Sequence, residues 1–93
     1  MPVGVRVWQL HLEGCRSLKA KRSVLKPLQA ALRRELNVSV AETGHQDLWQ
    51  RAEVAVAAIG SSRTVVEEVL RAADRLVEEA QGVRVLDTMS EVR

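Results

Sequence analysis

Apolar residues recur along this chain with two different periods, and the switches between them divide it into six segments. From Val3 to Leu12 the pattern approaches the two-residue alternation of a strand, but Val3, Val5 and Val7 occupy one parity and Trp8, Leu10 and Leu12 the other. Turning Trp8, Leu10 and Leu12 inward keeps Gln9 and His11 out of the core and makes His11 a surface residue. Either both faces of the strand are partly covered or a bulge shifts the register near Val7. Glu13 to Ser17 reads as a turn in which Ser17 caps a following helix. In that helix Leu18, Val24, Leu25, Leu28, Ala31, Leu32 and Leu36 share one face, while Lys19, Arg22, Lys26 and Arg33 fall within about 60° of one another on a second. Pro27 has no N–H and crowds the carbonyl one turn back, so the helix is expected to kink there or to begin its regular part near Ser23.

Alternation returns from Asn37 to Glu42, where Val38 and Val40 share a face, and again from Trp49 to Ile59, where Ala52, Val54, Val56 and Ala58 do. Two such runs separated by a polar stretch predict an antiparallel hairpin. Gly60-Ser61-Ser62 breaks the second run, and Thr64 to Glu67 has capping-box spacing at the head of another helix. There Val65, Val66, Val69, Leu70, Ala73, Leu76, Val77 and Ala80 form one face, and Glu67, Glu68, Arg71, Asp74, Arg75, Glu78 and Glu79 the other. Gly82 ends this helix, and Val83 to Val92 makes a fourth strand.

The order β-α-β-β-α-β is that of the ferredoxin-like fold: an α+β two-layer sandwich over residues 1–93, taken as one domain, with both helices on one face of a four-stranded antiparallel sheet. Strand directions carry a consequence for function. If the first strand runs up, then the turn before the first helix, the hairpin between the second and third strands and the turn after the second helix all lie at the same end. Arg16 and Lys19 are therefore expected beside His45, Gln46, Asp47, Trp49 and Arg51.

Charge sharpens this expectation. Residues 1 to 46 hold eight Lys/Arg against three Asp/Glu, and residues 47 to 93 hold six against nine. No acidic side chain occurs between Gly14 and Arg34, a stretch that contains Arg16, Lys19, Lys21, Arg22 and Lys26. Such an imbalance suits a polyanion, or a basic half packed beside an acidic one. No apolar run reaches the length of about 20 residues that spans a bilayer, so no membrane association is expected. The N-terminus has no secretory pattern, and Cys15, the sole cysteine, has no partner for a disulfide, which fits a cytoplasmic protein. His45 and Asp47 do not amount to a catalytic pair or a zinc site, and neither a metal nor a cofactor is expected.

Four blocks carry a family resemblance: Gly4-Val5, Arg16-Ser17-Leu18-Lys19-Ala20-Lys21-Arg22, Asn37-Val38-Ser39-Val40-Ala41-Glu42 and His45-Gln46-Asp47-Leu48-Trp49-Gln50-Arg51-Ala52. They resemble the YlxP-like family of small bacterial proteins, across nearly the whole chain. The resemblance implies a ferredoxin-like domain in the bacterial cytoplasm, encoded among translation and ribosome-assembly genes such as that of ribosome-binding factor A; it implies no established activity. The leading expectation is a noncatalytic RNA- or ribosome-associated accessory protein whose partner is ribosomal RNA or a ribosome-assembly protein. Arg16, Lys19, Lys21, Arg22 and Lys26 would meet phosphates, and His45, Gln46, Trp49 and Arg51 would hydrogen-bond or stack beside them. With no Phe or Tyr in the chain, base stacking on the sheet face is not expected.

Two alternatives come from other classes. Gly14-Cys15-Arg16 occupies the turn in which ferredoxin-like acylphosphatases hold a phosphate, which admits a small phosphate-ligand-binding protein or hydrolase. The sheet face away from the helices, with Val5, Val7, Ala55, Ala57 and Ile59 beside Gln9, His11 and Glu53, admits a homodimer. The hairpin segment also has a purely structural reading, in which Trp49 caps the core with its N–H bonded and Arg51 pairs with Glu42.

Overall fold

Gly4 shows how closely the two layers of this protein meet. In the computed structural model, which describes residues 1–93, a Cβ at Gly4 would lie 2.5 Å from Val66 Cγ1 and 2.9 Å from Leu70 Cδ1. Only hydrogen fits where the second helix crosses the first strand. The elements are β1 (Val3–Leu12), α1 (Leu18–Glu35), β2 (Ser39–Gly44), β3 (Arg51–Ile59), α2 (Arg63–Glu79) and β4 (Val83–Val92). They form one antiparallel sheet in the order β2-β3-β1-β4, with both helices on one side. This is the expected ferredoxin-like arrangement.

Strand β1 keeps one inward parity throughout. Gly4, Trp8, Leu10 and Leu12 are buried on the helix side and Arg6 shares that side, while Val5, Val7, Gln9 and His11 lie half-buried on the open face. Of the two alternatives for β1, partial cover of both faces holds and no bulge occurs at Val7. Register slips instead on its neighbour, where Gln9 pairs with Asp87 and Leu10 with Val85, leaving Leu86 as the extra residue of β4. Below the sheet, Leu25, Leu28 and Leu32 of α1 and Val66, Leu70, Ala73 and Val77 of α2 close on Ala52, Val54, Val56 and Ala58 of β3. Full burial of side chains such as Leu10, Leu32 and Leu70 stabilises the fold by about 2 kcal/mol each.

Helix caps account for both helix starts. Ser17 Oγ accepts from the Ala20 N–H at 3.0 Å, and α1 runs from Leu18 through Pro27 as one element, so its regular part does not wait for Ser23. Helix α2 is capped by Ser62, whose Oγ accepts from the Val65 N–H at 3.2 Å. The expected cap at Thr64 is thereby displaced, because the chain is already helical at Arg63 and leaves Thr64 inside the first turn. Gly82, at φ +77°, takes the left-handed turn that leads into β4.

Candidate functional site

The hairpin loop between β2 and β3 hangs on one side chain. Lys21 is only 2% exposed, and its ammonium donates to the carbonyls of His45 at 2.7 Å and Leu48 at 2.8 Å, with Gln46 O at 3.5 Å. Glu42 Oε2 lies 2.8 Å from the same nitrogen without an aligned hydrogen bond, so it acts as the counter-charge. A second tie, from the Leu12 N–H to the Gln50 carbonyl at 2.9 Å, fixes the other side of the loop. The loop start is tight: His45 has φ +60°, a left-handed conformation uncommon for a side-chain-bearing residue, and the Leu48 N–H closes a turn on the His45 carbonyl at 3.0 Å.

Lys21 corrects one expectation. Its charge groups it with the phosphate-contacting bases, but at spacings of four, three and four it continues the buried row Leu25, Leu28 and Leu32, and therefore points inward. Arg16, Lys19, Arg22 and Lys26 are exposed, and none belongs to any ion pair of the protein. Arg22 and Lys26 stand on one wall of a cleft of about 390 Å³ between α1 and the hairpin, with Gln46 and Asp47 on the other and Lys21 and Glu42 at its base. The strand directions thus unite α1 and the hairpin as anticipated, although Arg16 and Lys19 lie outside the cleft.

The remaining hairpin residues divide by face. Asp47, Trp49 and Arg51 border a second depression of about 390 Å³ with Leu48 and Gln50. Trp49 is 51% exposed and its indole N–H meets no acceptor in the protein, so it is not the bonded cap of the core. Arg51 does not pair with Glu42. Strand alternation puts Glu42, opposite Val54, on the helix side and Arg51, opposite His11, on the open face. The Arg51 Nε is buried without a partner.

On the open face His45 joins a polar chain that the segment alone did not suggest. Its Nε2 lies 3.2 Å from Gln9 Oε1; Gln9 Nε2 donates to Glu53 Oε1 at 2.6 Å, and the Thr43 hydroxyl donates to Glu53 Oε2, also at 2.6 Å. Thr43 reaches Glu53 because β2 bulges there, with Glu42 opposite Val54 and Gly44 opposite Glu53. The hydrogen bonds from Thr43 and then Gln9, aided by the charge of His45, lower the Glu53 carboxyl below its usual value despite an opposing desolvation.

Sequence reasoning set Glu42 against Arg51 rather than Lys21, left Gln29 at the cleft wall unnamed, and placed Gln9 and Glu53 on the open face without linking them to His45. A signal for the first existed: Lys21 on the buried helix row and Glu42 on the parity of Val38 and Val40 are opposite charges at two inward positions. No cluster of three or more His, Cys, Asp or Glu able to hold a metal is present. No helix is long and apolar enough to cross a membrane.

Comparison with known proteins agrees with this architecture. A family model described as a protein of unknown function (DUF503) matches residues 3–90. Over 55 residues the chain is 46% identical to the uncharacterized protein YlxP of Bacillus subtilis (strain 168), an alignment spanning 59% of this chain and 60% of that protein. A de novo designed protein with ferredoxin fold, determined in solution by NMR, superposes at a TM-score of 0.52 with 14% identity, covering 100% of this chain and 83% of the design. That likeness concerns the fold alone.

Proposed function

Because this chain belongs to the DUF503 family of YlxP-like proteins, a family without an assigned activity, we propose from its surface chemistry that it is a noncatalytic RNA- or ribosome-associated accessory protein. The observation that carries this reading is the set Arg16, Lys19, Arg22 and Lys26, exposed and free of ion pairs, around the start of α1 and its cleft with the hairpin. Unpaired cations on a rigid helix release counterions from a phosphate backbone without first breaking internal salt bridges. The first turn of α1 has no acidic residue to oppose them, and its N–H groups add to the positive potential.

A filter-binding titration of ribosomal RNA against salt tests the reading. Affinity is expected to fall as salt rises, and reversal of Lys19 and Arg22 to Glu to lower the slope of log K against log salt by about two phosphate contacts. Absence of salt-dependent binding, or a slope indifferent to the charge reversal, would sink it.

One further reading has an observation of its own. On the open face Ile59 and Met89 are 56% and 57% exposed beside Val5, Val7, Ala55 and Ala57, an uncovered apolar sheet surface that favours a homodimer. Sedimentation at micromolar concentration distinguishes dimer from monomer, and Met89→Glu is expected to dissociate a dimer formed there. The phosphate-binding turn has less behind it: the Cys15 N–H already bonds Leu12 O, the Ala20 N–H already bonds Ser17 Oγ, and Cys15 is buried.

A further inference from the structure

We propose that Trp49 stacks an unpaired base of single-stranded RNA while Arg22 and Lys26, across the neighbouring cleft, hold phosphates of the same strand. The inference rests on the RNA reading above and narrows it from nucleic acid in general to unpaired nucleotides. It starts from the contrast between the two tryptophans. Trp8 is 1% exposed and donates its indole N–H to Asp74 at 2.8 Å. Trp49 is 51% exposed, next to Leu48 at 49%, and neither packs into the core. A large ring left half in water at a loop tip, with its N–H unbonded, keeps a stacking surface and a donor available.

The backbone that carries the ring is held on both sides. The Leu48 carbonyl, immediately before Trp49, accepts from the buried Lys21 ammonium at 2.8 Å, and the Gln50 carbonyl, immediately after, accepts from the Leu12 N–H at 2.9 Å. A ring on so fixed a support loses little conformational freedom on binding, which makes stacking effective. The charges nearby have an order that suits a nucleotide. Asp47 borders both the Trp49 depression and the Arg22–Lys26 cleft, so this acidic residue lies at the seam between them. A phosphate is repelled from that seam and drawn to Arg22 and Lys26. A base edge carrying amino hydrogens finds an acceptor there, on the depression that Trp49 also borders. In duplex RNA the base faces are occupied by their neighbours and the ring has nothing to stack on, whereas in loops and single strands they are free.

The two tryptophans also supply the measurement. In Trp8→Phe protein the emission reports Trp49 alone, and in Trp49→Ala protein it reports the buried Trp8 and shows that the fold is kept. A mixed-sequence single-stranded RNA of about 10 nucleotides, a length on the scale of known single-strand sites, is titrated beside its own duplex. The single strand is expected to quench Trp49 and to bind about 10-fold more weakly to Trp49→Ala, with duplex affinity unchanged; Arg22→Glu with Lys26→Glu weakens both. Salt-dependent binding of the single strand with Trp49 emission unmoved and Trp49→Ala as tight as the parent overturns the stacking and leaves the RNA reading standing. If neither RNA binds in a salt-dependent way, both readings fall together.

Discussion

Two polar clusters lie between the helices and the sheet, one under each helix, and they do different things. Under α2, Arg6 and Trp8 of β1 both reach Asp74, at 2.6 and 2.8 Å, so side chains of regular elements answer one another across the layers. Under α1, Lys21 meets one carboxylate, Glu42, and spends its hydrogens on loop carbonyls. The first cluster fastens helix to sheet. The second fastens a loop to a helix, and so decides how the hairpin presents Gln46, Asp47 and Trp49. A buried charge whose partners are backbone groups orders a segment that has no hydrophobic face of its own to order it.

Lys21→Met, which keeps the stem and removes the charge, is expected to have the largest effect on the cluster under α1. Glu42, a quarter exposed, loses its counter-ion and two loop carbonyls lose their donor, so the expected loss is about 3 kcal/mol, readable as a fall in the urea midpoint. Hydrogen exchange of the amides from His45 to Gln50 is expected to accelerate more than that of β1. Adding Glu42→Leu should return part of the stability and none of the loop protection. A uniform loss across the molecule would show that Lys21 merely fills the core.

Asp74→Ala is the counterpart on the other side. It strands the Arg6 guanidinium, which is 16% exposed, and leaves the buried Trp8 N–H without an acceptor, for an expected cost of about 2 kcal/mol. Asp74→Asn retains an acceptor for Trp8 and should recover part of that cost. With Trp49 replaced by Phe, the Trp8 emission is expected to shift in Asp74→Ala, while exchange in the hairpin stays as in the parent. Loosening of the hairpin in this variant would mean that the two clusters are one network.

Much of the architecture was legible because it depends on period. The runs Ala52, Val54, Val56, Ala58 and Leu25, Leu28, Leu32 face the core as their spacing requires, and strand direction alone brought the hairpin to α1. What stayed illegible depends on atoms meeting across the fold. Alternation cannot say that β4, not β1, takes the extra residue, nor that Thr43 bulges and so swings its hydroxyl onto Glu53. Lys21 illustrates a different failure: charge composition groups it with the phosphate-contacting bases although it lies off the basic stripe, and its position on the helix belongs to the buried row. Trp49 is a case that alternation leaves open, since the segment admits both a hairpin-site residue and a bonded cap of the core, and the structure leaves the ring half-exposed with its N–H unbonded.

The Glu53 cluster on the open face offers the mildest test, because solvent reaches it and no helix covers it. Its carboxylate is favoured by the Thr43 and Gln9 hydrogen bonds, so its pKa in the folded protein lies below the usual 4.5. A group depressed in this way contributes stability that is fully present above its unfolded pKa and is lost as pH falls through the folded value. The difference in urea midpoint between the parent and Glu53→Gln is therefore expected to be constant above about pH 5 and to shrink as the pH drops below 4.5. His45 is expected to lose part of its tether through Gln9 over the same range, while Lys21 keeps the loop carbonyls bound. Parallel pH curves for the two proteins would show that the Thr43 and Gln9 bonds do not favour the ionised carboxyl, and that buried Lys21 alone, not the exposed Glu53 chain, sets the loop.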